Sequence, residues 1–172
     1  NSYFKKIDLK KISKLEDLII ETSKRDKKVI ICGNGGSAAT ASHAAIDLTK
    51  NAKIKSINFN EYDLITCFSN DFGYENWVKK SLEYYADEDD LLIILSCSGN
   101  SKNLVNAQKK ATSMGIKTVI LTGVNKNNKL NSSRNNNLKI WVNSKSYNLV
   151  EIIHHFILLM VIDKIIFNNQ KI

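Results

Sequence analysis

The chain contains no proline, so nothing in its 172 residues breaks a helix by removing a backbone N–H or locking φ. Its three cysteines, Cys32, Cys67 and Cys97, lie far apart with no C-x-x-C pair. That spacing excludes a zinc knuckle or dithiol redox centre and leaves reduced, mostly buried thiols. No apolar run reaches the roughly 18 residues of a membrane span, and no charged-then-apolar segment at the start reads as a signal peptide. A cytoplasmic address without a membrane partner is therefore expected. Glycine is sparse at seven residues, yet three of them, Gly33, Gly35 and Gly36, fall within four positions.

What is present is an ordinary globular balance, 43% hydrophobic and 24% charged, enough for a chain of this length to bury its own core. The formal charge of +8 comes from lysines scattered along the chain. With no basic stripe and no nucleic-acid motif, the surplus is assigned to solubility and to attraction of a small anion, and no nucleic-acid partner is expected.

Hydrophobic periodicity predicts an amphipathic helix over residues 8–25, carried by Leu9, Ile12, Leu15, Leu18 and Ile19. Apolar runs predict strands at 28–32, 54–59, 91–95, 118–121 and 138–142. Helical patterns lie between them, from about Ser37, up to about Tyr85 and over 103–114, and a long apolar helix covers about 149–167. Strands alternating with helices predict an α/β fold: a doubly wound, five-stranded parallel sheet flanked by helices. The whole chain, 1–172, reads as one domain, an N-terminal helical unit over 1–26 followed by sheet and helices over 27–172. In such folds ligands bind beyond the carboxyl ends of strands.

Two strand-end loops carry chemistry. In G-N-G-G-S, residues 33–37, glycines permit positive φ and close approach, so N–H groups and a helix N-terminus can face an anion. The bland alternative is a tight turn with Ser37 as helix N-cap. In S-C-S-G-N-S, residues 96–101, Ser96, Ser98 and Ser101 offer hydroxyl donors to phosphate oxygens, the alternative being a serine-capped turn. On the helix after the first loop, His43 and Asp47 stand at i and i+4, hence on one face, as a proton-transfer pair requires. Alternatively they are a surface histidine and its acidic neighbour.

Five motifs in order, G-N-G-G-S-A-A (33–39), H-A-A-I-D-L-T (43–49), N-D-F-G-Y (70–74), S-C-S-G-N-S (96–101) and L-T-G (121–123), resemble the sugar isomerase (SIS) domain family, and within it the phosphoheptose isomerases. The resemblance implies an SIS-type fold and a homo-oligomer, dimer or tetramer, associating through helices. It also implies ketose–aldose isomerisation of sedoheptulose 7-phosphate to a D-glycero-heptose 7-phosphate through an enediol, feeding surface polysaccharide synthesis. Asn34, Gly35, Gly36, Ser37, Ser96, Cys97, Ser98 and Ser101 would hold the phosphate, and Asn70 and Asp71 the sugar. Cys97 stands where the family usually has threonine. His43 falls on a zinc-binding histidine, and Asp47 on a glutamate that is both zinc ligand and proton-transfer base. The chain departs from the family pattern in its last helix. With Glu151 as anchor, Val150 and Leu158 occupy the positions of a glutamine and, two turns later, a histidine that complete the zinc site and serve as acid/base in the family. His154 and His155 lie about one turn early and are read as facing elsewhere, in burial or interface packing. An SIS module that binds phosphosugar or a protein without catalysis is the alternative.

Overall fold

The strand β1 (Val29–Cys32), V-I-I-C, is buried at every position, and so is β3 (Leu91–Ser96), L-L-I-I-L-S. β-Branched and leucine side chains with no polar alternation suit strands covered on both faces. These two pair with each other and with β2 (Ser56–Ile57), β4 (Lys117–Thr122) and β5 (Leu138–Trp141) in a five-stranded, wholly parallel sheet of order β2-β1-β3-β4-β5. This computed structural model describes residues 8–134 and 136–169. Residues 1–7 of the expected N-terminal unit, Asn135 and residues 170–172 lie outside the described residues.

The helices are α1 (Leu9–Lys24), α2 (Gly36–Lys50), α3 (Tyr62–Phe72), α4 (Trp77–Tyr85), α5 (Lys102–Ser113), the short α6 (Lys129–Ser132) and α7 (Tyr147–Asn169). The period of two along each strand divides the core between the sheet's faces. Val29, Ile31, Leu91, Ile93, Leu95, Val119 and Leu121 pack with α1, α2 and α7. Ile30, Cys32, Leu92, Ile94 and Ile120 pack with α4 and α5, through Trp77, Leu82, Leu104 and Ala107. In α2 the buried positions include Ala41, Ala44 and Ala45, whose small side chains let that helix lie close to both β1 and α7. Among the described residues no helix is long and apolar enough to cross a membrane.

The expected architecture holds, with one local difference in the sheet. Of the strand expected over 54–59, only Ser56 and Ile57 pair with β1; Ile54 and Phe59 are buried as side chains outside the ladder. Ser37 is not an N-cap. Gly35, at φ 55°, takes that position, and Ser37 lies inside the first turn of α2, 3% exposed. The cysteines are mostly buried, as expected: Cys32 and Cys97 are buried and Cys67 is exposed on α3.

The strand order puts β1 and β3 side by side, with the chain running outward to β2 from one and to β4 from the other. This is the switch point of a doubly wound sheet, where the loops after the two central strands diverge and leave a crevice. Both loops singled out above leave from it.

Helix α7 is fastened at this end of the sheet by His154, which is 1% exposed. Its Nε2 lies 3.3 Å from the Thr122 carbonyl at the end of β4 and donates to it, while Nδ1 has no partner. Burial pushes the ring's pKa down to about 4, below the roughly 6.5 of an unfolded histidine. The unfolded chain therefore binds this proton more readily, and stability must fall as pH drops from about 6.5 towards 4, by about 3 kcal/mol at most. Urea titrations across that window are expected to lose this slope in His154→Phe. An unchanged slope would assign the pH dependence to other groups.

Candidate active site

The crevice holds a cavity of about 120 Å³ lined by Asn34 and Ser37 from the first loop, by Leu95, Ser96, Cys97, Ser98, Ser101 and Leu104 from the second, and by Tyr147 and Glu151 from α7. Three helices, α2, α5 and α7, begin at this cavity, so three sets of unpaired N–H groups and positive dipole ends converge on it without a formal cation. That arrangement suits an anion of phosphate size.

The hydroxyls are set up to donate. The Ser96 oxygen accepts the Gly99 N–H at 3.1 Å and the Ser98 oxygen accepts the Asn100 N–H at 3.2 Å. Each hydroxyl hydrogen is then left for another acceptor. Ser101 is the N-cap residue of α5, yet its side chain makes no capping bond. Because that hydroxyl is not spent on the fold, Ser101→Ala is expected to weaken binding of a phosphate anion about tenfold while leaving thermal stability unchanged. Calorimetric titration and a melting curve check the two halves.

Asn34 is held in place by its neighbours. Its side-chain amide pairs reciprocally with that of Asn103 on α5, at 3.1 and 2.9 Å, and Tyr74 donates to its Oδ1 at 3.3 Å. Asn103 and Tyr74 thus hold the first loop against the second. Asn103 was not singled out in the sequence; its place two residues after Ser101, inside α5, was the available signal. The Cys97 thiol is pushed up to about 11, by burial first and then by the Glu151 carboxylate. It stays protonated at neutral pH and makes a long contact to the Tyr147 carbonyl, 3.8 Å.

Gly36 owes its identity to Glu151. A methyl group there would lie 2.6 Å from the Glu151 carboxyl carbon, so only glycine lets α7 bring that carboxylate against the start of α2. Gly35 supplies the positive φ that starts the helix. Neither glycine lines the cavity. Asn70 and Asp71 do not line it either. They are exposed near the end of α3, bonded to each other at 3.0 Å, and their motif reaches the site through Tyr74.

His43 and Asp47 also stand outside the cavity, further along α2. His43 Nε2 lies 3.3 Å from Asp47 Oδ2, and the other carboxylate oxygen accepts the Asn51 side-chain N–H at 3.1 Å. The structure corrects the reading of His155 as facing elsewhere: its Nε2 lies 2.9 Å from His43 Nδ1, and the rings meet edge-on with centroids 4.8 Å apart. Helix periodicity explains this. His155 is four residues beyond Glu151 and so shares its face, and Gly36 and His43, seven residues apart, share the face of α2 that Glu151 meets. Two parallel rows result, with Glu151 beside Gly36 and His155 beside His43. Partial burial, and then neighbouring His43, hold the His155 ring below its ordinary pKa, with Asp47 acting the other way.

The zinc site implied by the resemblance does not fit these residues. Among the described residues no group of three or more His, Cys, Asp or Glu side chains is placed to hold a metal ion. Val150 and Leu158 are buried apolar residues, and both ring nitrogens of His43 are engaged by protein partners.

A five-stranded parallel sheet with an anion cradle at its switch point defines a doubly wound domain of the sugar isomerase class. The SIS domain model matches residues 2–123. The chain is 34% identical over 167 residues, 90% of its length, to the phosphoheptose isomerase of Hamiltonella defensa, of which it covers 79%. It is also 40% identical over 112 residues, 62% of its length, to that of Helicobacter pylori strain P12, of which it spans 58%. The solved phosphoheptose isomerase of Neisseria gonorrhoeae superposes with a TM-score of 0.88 at 24% identity, over 95% of this chain and 90% of the other. The chain belongs to the SIS domain family, in its phosphoheptose isomerase branch.

Proposed function

We propose that the protein interconverts sedoheptulose 7-phosphate and a D-glycero-heptose 7-phosphate through an enediol, supplying heptose for surface polysaccharide from a cytoplasmic location. The observation that carries this reading is a spacing. Gly36, at the phosphate end, and His43, in the proton-transfer cluster, are seven residues apart on one face of α2, a rise of about 10 Å. In an extended seven-carbon sugar phosphate the distance from C1 to phosphorus is also roughly 10 Å, at about 1.25 Å advance per bond. A triose or tetrose phosphate is too short to join the two. The cavity takes the phosphate alone, and the sugar lies along the seam between α2 and α7. The relatives named for this activity support the same reading.

The His43 side chain is about half exposed, and the apolar side chains of Ile46 and Ile152 stand exposed on the same two helices. This favours a homo-oligomer that covers the seam with a second copy.

The test is incubation with sedoheptulose 7-phosphate in D2O, with and without added zinc. Aldose formation and uptake of one solvent deuterium are expected, at a rate zinc does not change, given the donor set. Tight binding of the sugar phosphate with no proton exchange would instead identify a non-catalytic SIS module, and absence of binding would reject both.

A further inference from the structure

We infer that Glu151 is a specificity-determining residue of the anion cavity: its carboxylate accepts the hydroxyl that a sugar phosphate carries on the carbon next to the phosphoester carbon, and its charge turns away anions lacking that hydroxyl. The inference rests on the phosphosugar reading above and deepens it. Among the residues lining the cavity, Glu151 alone carries a charge. It stands where the phosphate ends and the sugar begins. It lies on α7, one turn in from Tyr147, and its carboxyl carbon is 2.6 Å from where a methyl group on Gly36 would be, at the foot of the seam between α2 and α7. Among the described residues no cation pairs with it and no backbone N–H is spent on it. The neighbour that feels it is the Cys97 thiol. Its accepting capacity is therefore left for a ligand. Asp71, the acid that the resemblance assigns to the sugar, is outside the cavity.

A carboxylate only accepts hydrogen bonds, so towards a phosphoryl dianion it contributes repulsion and nothing else. The N-terminal ends of α2, α5 and α7 supply roughly half a positive charge each, and one carboxylate offsets the greater part of that. An ester with a bare alkyl group meets this repulsion uncompensated. A hydroxyl on the adjacent carbon brings a donor to the carboxylate and converts the same charge into a charge-assisted hydrogen bond, about twice as strong as a neutral one. In a heptose 7-phosphate that hydroxyl is the one on C6. The cavity then selects by a repulsive element as well as an attractive one, and the serines alone would not tell a sugar phosphate from another phosphate ester.

The experiment is calorimetric titration of the wild type and Glu151→Gln with ethyl phosphate and with sn-glycerol 3-phosphate, at a pH of about 8, where the phosphoryl group carries no proton of its own. Neither probe has a carbonyl to isomerise, so binding is read apart from turnover. The wild type is expected to bind glycerol 3-phosphate about 10 to 100-fold tighter than ethyl phosphate, and equal binding of the two overturns the inference without any variant. Glutamine keeps the size, and so the packing against Gly36, but not the charge. Glu151→Gln is expected to bind ethyl phosphate about tenfold tighter than the wild type does, and to prefer glycerol 3-phosphate by only about threefold, as a neutral acceptor would. An ethyl phosphate affinity or a preference that stays within about twofold of wild type in this variant overturns the assignment. A wild type that shows the expected preference but takes up no solvent deuterium into sedoheptulose 7-phosphate overturns the isomerase reading and leaves the role of Glu151 standing.

Discussion

Replacing Asp90 with alanine is expected to lower the unfolding free energy by about 3–5 kcal/mol, because it leaves two part-buried backbone N–H groups unpaired and takes from the Lys28 ammonium one of its two carboxylates, the other being Asp87. Asp90 is fully buried just before β3. Its two oxygens accept the backbone N–H of Lys28 at 3.0 Å and of Asp87 at 2.8 Å, and the Lys28 ammonium lies 2.7 Å away. Lys28 directly precedes β1, and the Leu91 N–H bonds its carbonyl at 3.1 Å. One carboxylate therefore fixes the register of the two central strands at the end opposite the site, and both anion loops hang from the other end of those strands. Asparagine keeps one acceptor and the volume but neither the charge nor the second acceptor, so Asp90→Asn should cost less. Thermal denaturation should fall by on the order of 10 °C for the alanine variant in a domain of this size. A loss below 1 kcal/mol would show that Lys28 and the turn before β3 relax to satisfy each other.

The fold and half of the site were legible because both depend on local patterns. Short apolar runs such as V-I-I-C and L-L-I-I-L, closed by glycine and serine turns, fit strands covered on both faces, and a loop after such a strand in a doubly wound sheet is placed by topology. The serines of residues 96–101 therefore appear where expected. What failed depends on how two helices face each other. Ser37 is not among the failures: the positive φ of Gly35 starts α2 before it, so the cap alternative is not realised and Ser37 lines the cavity. His155 was judged against the positions of absent residues on its own helix. Its role follows from α2, since the close approach at Gly36 and Glu151 sets the relative height of the helices and brings His155 to His43. Asn103 is similar: its value lies in a pairing with Asn34 across two loops, which nothing in either loop's own sequence signals.

Asp47→Asn is expected to lower kcat by about 10² to 10⁴-fold with little change in sugar-phosphate binding, since Asp47 is not among the residues lining the anion cavity. The substitution conserves size, so its effect is electronic. With the charge gone, the site has no carboxylate beside His43 to take a proton or to balance one. The amide also has only one acceptor. Its nitrogen or its oxygen then faces the His43 ring in place of a carboxylate oxygen 3.3 Å away. Steady-state kinetics give the size of the loss. Deuterium uptake at the substrate carbon is expected to fall in parallel, because proton abstraction itself is impaired. A variant that keeps wild-type exchange but releases aldose slowly would show that Asp47 acts after the enediol, and kcat within tenfold of wild type would remove it from the proton-transfer step altogether.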